Sequence, residues 1–384
     1  MLAITNCKIY PVDREVIGKG TILIEDGRIV DVRSDITIPP NAQVIDASGK
    51  LAFPGFIDAH SHLGLNESCI GFEGSDVNES TDPVTPNMRA IDGFNSLDVT
   101  VKEARESGVT SCAVGPGSAN VVGGTFMAVK TFGTRVDNMV IKDPVAMKVA
   151  FGENPKRVYS NKGKTPSTRM GTAAILREIL AKTMRYNEQL EAAAEDPSKK
   201  PGYDAKLEAM LPVIKGEIPL KAHAHRSDDI FTAIRIAKEF NIRITLDHCT
   251  DGALIAEEIA KEGFPAIVGP SFGHRSKFEL TNKSFVTPGV LAKAGVKVAI
   301  TTDSPVTPLH SLPLMAGMAV SAGMEHDDAL RAITLNPAEI IGIDSRVGSI
   351  TPGKDADIVI FQGHPFEISS KPWMILIDGI NVLE

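Results

Sequence analysis

The chain has little cysteine and no ordered use for it. Cys7, Cys69, Cys112 and Cys249 are scattered with no CxxC spacing, which excludes a disulfide framework and a cysteine zinc knot. They read as ordinary buried thiols. An excess of positive charge is also missing. Lys and Arg number 40 against 48 Asp and Glu, giving a formal net charge of -8 and a pI near 5.7. Such a chain offers no basic patch for a phosphate backbone, so nucleic acid is excluded as a partner. No apolar run reaches the roughly 18 residues of a membrane span. The opening MLAITNCKIYPVDREV lacks the basic start and apolar core of a leader. The expectation is a cytoplasmic protein, a homo-oligomer with a small-molecule substrate and no membrane partner. Internal repeats and low-complexity segments are lacking too.

What is present is a large apolar core. With 384 residues, 43% hydrophobic and 23% charged, the chain exceeds a minimal single domain, and one large unit plus a small one fits. Both ends read as short strands. TILIE and RIVDV flank Asp26-Gly27, a hairpin signal, and a second pair, Asp378-Gly379, sits within MILIDGINVLE. Residues 1–54 are therefore expected to join residues 345–384 in a small β-sandwich.

Between the ends the texture changes. VTSCAVG, VAMKVAF, IPLKAHA, IRITLDH, PAIVG and VKVAITT are near-continuous apolar runs, as parallel strands buried on both faces should be. Helical patterns such as SDDIFTAIRIAKEF, with Ser227 as its expected cap, alternate with them. This predicts an α/β protein whose residues 55–344 form a (β/α)8 TIM barrel. A doubly wound sheet is the alternative. Residues 170–216 hold two helical patterns, too long for one crossover, and predict a helical insertion over the barrel mouth. The glycine-rich GPGSANVVGG (115–124) lacks the lysine of a phosphate loop and reads as a tight loop after the second strand.

Chemistry in such a barrel sits at the C-terminal strand ends, and five of the nine histidines stand there. His60 and His62 close the first strand in GFIDAHSHLG, His223 and His225 close KAHAH, and His248 closes ITLDH, while Asp303 follows AITT. Side chains two apart on a strand point to one face, so the imidazoles of HxH converge. Neutral imidazole is a common zinc ligand, and His223, His248 and Asp303 can supply the remaining ligands.

Taken in order, "IDASGKLAFPGFIDAHSHLG", "HAH", "LDHCTDG", "TTDSP" and "LNPAEIIGIDSRVGSITPGKDADIVIF" resemble the amidohydrolase superfamily, especially its imidazolonepropionase-like and prolidase-like branch. The resemblance covers nearly the whole chain. It implies a metal-bearing barrel with a small β-sandwich from both termini. His60 and His62 are then the first-strand ligands, His223 and His248 the fifth- and sixth-strand ligands, and Asp303 the eighth-strand carboxylate. His225 faces the substrate or supports a ligand, and is a catalytic candidate for steadying an oxyanion. The fourth strand leaves two candidates open. Lys148 matches the carboxylated lysine that bridges two metals in hydantoinase-like and prolidase-like members, and it can be a ligand only if carboxylated. Glu153 matches the glutamate of N-acetylglucosamine-phosphate deacetylases. Arg169 and His274 are candidates for substrate contact, Arg169 for a carboxylate. The implied cofactor is one or two divalent ions, zinc first, with iron or manganese as alternatives. The implied activity is hydrolysis of a carbon–nitrogen bond in an amide or cyclic amide, with Asp303 moving the proton. Two rivals remain: deamination of an amino-heterocycle on one metal, and a metal-free assembly protein, whose mark would be missing ligands.

Overall fold

A computed structural model describes residues 1–68 and 71–383. Cys69 lies outside the described residues. Cys7, Cys112 and Cys249 are buried free thiols.

Strands from the two ends share one eight-stranded sheet. From the N-terminus come β1 (Leu2–Ile9), β2 (Ile17–Glu25), β3 (Arg28–Arg33), β4 (Gln43–Asp46) and β5 (Leu51–Pro54). From the C-terminus come β14 (Ile358–Phe361), β15 (Pro372–Ile377) and β16 (Ile380–Asn381). β14 pairs antiparallel with β5, so the two ends meet at the middle of the sheet. Strand alternation explains why neither can stand alone. Ile358, Ile360, Met374 and Leu376 join Ile4, Ile22 and Ile24 in a core of their own. Val359, Phe361, Ile375 and Ile377 pack the opposite face onto the barrel core with Phe53 and Phe56.

The barrel strands are β6 (Phe56–Ser61), β7 (Val109–Val114), β8 (Val122–Lys130), β9 (Val140–Ala150), β10 (Leu220–Ala224), β11 (Ile244–His248), β12 (Ala266–Val268) and β13 (Val298–Ile300). They pair in sequence order from β6 to β13. One strand departs from the expected all-parallel wall: β8 runs antiparallel to both β7 and β9. It also corrects the reading of 115–124 as a single loop, since Gly123 and Gly124 lie inside β8. The reason is close approach. A Cβ at Gly124 would stand 2.4 Å from the backbone oxygen of Met88.

Between β13 and β6 the wall is closed by hydrogen bonds from side chains and backbone together. Asp58 Oδ2 accepts the Thr302 N–H at 2.8 Å and its hydroxyl at 2.7 Å, and Thr301 Oγ1 donates to the His60 carbonyl at 2.7 Å. The His62 N–H donates to the Ser304 carbonyl at 2.8 Å. This seam fixes the ends of β6 and β13 relative to each other.

The helical insertion comprises Arg169–Glu195 and Ala205–Ile214. It lies along the flank of the barrel rather than over its mouth: Leu176, Leu180, Met210 and Val213 pack with Met147, Val149 and Leu220. Ser227 opens the helix Ser227–Phe240 without capping it by its side chain; its N–H donates to Asp251 Oδ2 at 2.9 Å. Among the described residues no helix is long and apolar enough to cross a membrane.

Candidate metal centre

The strand ends gather two groups of donors: His60, His62 and Asp303, and beside them His223, His225 and His248, with the ligand atoms of each group within 4.8 Å of one another. The groups adjoin, the His60 and His248 ring centroids being 5.0 Å apart.

In the first group the hydrogen bonds decide where the lone pairs point. His62 Nδ1 lies 2.6 Å from the Gly115 carbonyl oxygen. A carbonyl only accepts, so Nδ1 carries the hydrogen, and in the neutral ring Nε2 carries the lone pair. His60 Nδ1 donates likewise to Asp247 Oδ2 at 2.5 Å. Burial works to raise the Asp247 pKa, but Lys221 and Lys148 outweigh it and hold the carboxyl below its ordinary range. Both Nε2 atoms then face Asp303 Oδ1, at 3.4 Å from His60 and 3.2 Å from His62. Two lone pairs facing a carboxylate oxygen repel unless a cation lies among them. Asp303 sits at φ +51°, a left-handed conformation that is costly for a non-glycine residue and clusters at functional sites.

The second group is equally ready. His248 Nδ1 donates to the Gly269 carbonyl at 2.7 Å, which leaves its buried Nε2 without a partner. His225 Nδ1 lies 2.8 Å from Thr250 Oγ1, and the buried His223 Nδ1 has no partner. Burial holds His60, His223 and His225 well below the usual histidine range, so all three are neutral at pH 7, the form that ligates a metal. The donor chemistry therefore fits divalent ions, and His60, His62, Asp303, His223, His225 and His248 are the residues that would hold them.

Lys148 lies beside the first group. It is fully buried on β9, its Nζ 3.1 Å from His60 Nε2. Burial pushes its pKa down to about 8, with Lys221 adding to the effect and Asp247 and Asp303 opposing it. The other fourth-strand candidate is placed differently. Glu153 opens the helix Glu153–Ser160, its N–H donating to Glu279 Oε2 at 2.9 Å, and it belongs to neither donor group. Arg169 Nε reaches both oxygens of Asp229, at 3.1 and 3.0 Å, while its buried Nη2 has no partner. His274 is exposed, its carbonyl accepting from Lys283 Nζ at 3.1 Å.

Sequence reasoning missed three buried residues of this region: Asp247, Lys221, whose Nζ lies 3.0 Å from Asp247 Oδ2, and Glu279. The first two carried a signal, a charge inside each of the apolar runs ITLDH and LKAHA. Glu279 carried none. A cavity of about 660 Å³ lined by Leu65, Asn78, Arg89, Pro116 and Gly123 opens nearby. A Cβ on Gly123, one of its lining residues, would stand 3.4 Å from Lys148 Cγ.

Residues 51–380 match the Amidohydrolase family. The chain belongs to that family. A solved amidohydrolase from Thermotoga maritima MSB8 is 42% identical, with a TM-score of 0.96 over 100% of this chain and 99% of its own. The amidohydrolase tasK of Hapsidospora irregularis is 29% identical over 389 residues, covering 94% of this chain, which spans only 39% of that relative's length. An imidazolonepropionase from Symbiobacterium thermophilum is 25% identical over 395 residues, 91% of this chain and 85% of its own. A solved prolidase complexed with N-methylphosphonate-L-proline, 18% identical with a TM-score of 0.59 over 99% of both chains, shares the fold of this amidohydrolase family member.

Proposed function

We propose that this family member hydrolyses a carbon–nitrogen bond, of the amide or cyclic amide type, in a small molecule, at a centre of one or two divalent ions with zinc first among them. The observation that carries the reading is the convergence of the His60 and His62 lone pairs on Asp303 Oδ1, at 3.4 and 3.2 Å. Similarity to proteins named imidazolonepropionase supports a small substrate. A bound divalent ion supplies hydroxide at neutral pH, by lowering the pKa of its water from 15.7 to about 7, and polarises the substrate carbonyl.

The chain's own groups do the rest. A carboxyl set among donors for a cation keeps its charge, since a nearby cation favours the ionised form. Asp303 is therefore ionised at neutral pH and accepts the proton of the attacking water. It returns that proton to the departing nitrogen. The carbonyl of Gly115 and the carboxylate of Asp247 keep His62 and His60 in the tautomer whose Nε2 faces the centre. Lys148, rather than Glu153, is the fourth-strand ligand in this reading. Its neutral amine adds to carbon dioxide and releases one proton to solvent, and the resulting carboxylate replaces a repelling ammonium.

Asp303→Asn tests the reading. It keeps the shape and much of the metal but cannot take the proton. Turnover of N-acyl amino acids, dipeptides and cyclic amides should fall by about 10²–10⁴-fold in kcat, with metal retained by elemental analysis. Near wild-type turnover by a metal-loaded variant would assign the base elsewhere, and a purified wild-type protein that takes up no divalent ion would overturn the reading.

A further inference from the structure

Glu279 is unused by the mechanism above, and its setting is unusual. It is 1% exposed, in the turn Phe278–Leu280 that follows β12. Its Oε2 accepts the Glu153 N–H at 2.9 Å, whereas its buried Oε1 has no hydrogen-bond partner. A carboxyl oxygen left bare inside a protein is costly unless something meets it. Three nitrogens surround it at one distance: His225 Nε2 at 3.8 Å, His223 Nε2 at 3.9 Å and Lys277 Nζ at 3.8 Å. Lys277 is already engaged, donating to Asn154 Oδ1 at 2.7 Å.

These separations discriminate between two kinds of bridge. They are too long for a proton shared along an N–H···O hydrogen bond, which spans about 2.7–3.2 Å. They are short enough for one metal ion, because two donors each about 2.0–2.2 Å from an ion stand at most about 4.4 Å apart. The position is also built for the carboxylate. Gly152 has φ +77°, and a Cβ there would lie 2.6 Å from Glu279 Oε2 and 3.2 Å from Asp229 Oδ2, so a side chain at 152 would drive Glu279 out.

We infer that Glu279 Oε1 and His225 Nε2 are ligands of the second ion, which makes its donor set three histidines and a carboxylate: His223, His225, His248 and Glu279. The inference rests on the metal-centre reading of the preceding section. It gives the second group of histidines an oxygen donor from the loop after β12. Nitrogen donors with a single carboxylate suit zinc and the neighbouring first-row ions rather than magnesium or calcium.

The test counts metal rather than turnover. Wild type, Glu279→Gln and Lys277→Met are each stripped of metal, reloaded with Co²⁺, passed through a weak chelator and measured for ions per chain and for the visible absorption of the bound cobalt. Glutamine keeps an oxygen to accept the Glu153 N–H, and thermal melting of the stripped proteins checks that the fold is intact. Wild type and Lys277→Met should retain two ions, and Glu279→Gln should retain one, with loss of the corresponding part of the spectrum. Two ions with an unchanged spectrum in Glu279→Gln overturn the inference while leaving the metal centre standing. A second ion lost from Lys277→Met as well as from Glu279→Gln overturns it too, since the effect would then follow from disturbing the loop. A wild type that retains no ion fails the preceding section instead.

Discussion

Lys130 and Lys148 stand near opposite ends of the β8–β9 hairpin, and both are buried. Their company differs. Lys130 Nζ meets Asp355 at 2.8 Å, Asp357 at 3.0 Å and Asp378 at 2.5 Å, all from the C-terminal segment that builds the terminal sheet. Burial works to lower its pKa, but Asp357, Asp355 and Asp378 outweigh it and raise it. Among the described residues no carboxylate lies within ion-pair distance of Lys148 Nζ, whose pKa falls to about 8. The same side chain at similar burial is thus held charged where acids surround it and made easier to deprotonate where they do not. Burial alone does not mark a functional lysine. The missing counter-charge is what sets Lys148 apart from Lys130.

Three experiments can break or sharpen this contrast. The largest effect belongs to the Lys130 cluster as a whole. Removing residues 355–384 deletes β14–β16 and all three carboxylates, exposing the apolar faces of β1, β2 and β5. Insoluble protein is expected on expression, and a soluble, metal-binding truncation would show that the sheet does not depend on its C-terminal half.

Next come the two lysines singly, compared as metal-free proteins by chemical denaturation. Lys130→Met leaves three carboxylates facing one another and should lower stability by about 3–5 kcal/mol, with metal uptake unchanged afterwards. Lys148→Met replaces a buried amine that lacks a carboxylate partner by an apolar chain of similar length. Its stability should stay within about 1 kcal/mol or rise, while turnover is lost. Equal destabilisation by the two would erase the distinction.

The smallest effect is in the pH dependence. The folded pKa of Lys130 is raised above the ordinary 10.5. Its contribution to stability is therefore complete below about pH 10.5 and lost as pH rises through the folded value. Wild type should lose stability on that alkaline limb faster than Lys130→Met, as followed by melting temperature. Parallel curves would mean that the acids are neutralised by Arg28 and Arg346, which also reach Asp355, at 2.9 and 2.7 Å.

Much of this architecture is legible in the chain because its signals are local. Asp26-Gly27 and Asp378-Gly379 form the turns of β2–β3 and β15–β16, with both members of each pair at positive φ. The HxH spacing places His60 and His62 on one face because strand geometry has period two. What escaped needed information from elsewhere in the fold. The strand β8 is hidden by Gly123-Gly124, required by the approach of Met88, and its direction is written in no local pattern. Glu279 lies in a loop and is drawn inward by the space left at Gly152, 127 positions earlier. Arg169 reads as a candidate for a substrate carboxylate but is held by Asp229, a partner on the later helix Ser227–Phe240.

The pairing of β5 with β14 carries a consequence for how the protein is made. Roughly 300 residues separate Pro54 from Ile358, and at about 5–20 residues per second a ribosome needs roughly 15–60 s to traverse them. Throughout that interval β1, β2 and β3 can pair with one another, yet the apolar side of β5 awaits a partner that does not exist. The nascent chain must therefore carry an open sheet edge until its last strands emerge, which makes the finish of synthesis, rather than its start, the moment at which the terminal sheet can close against the barrel.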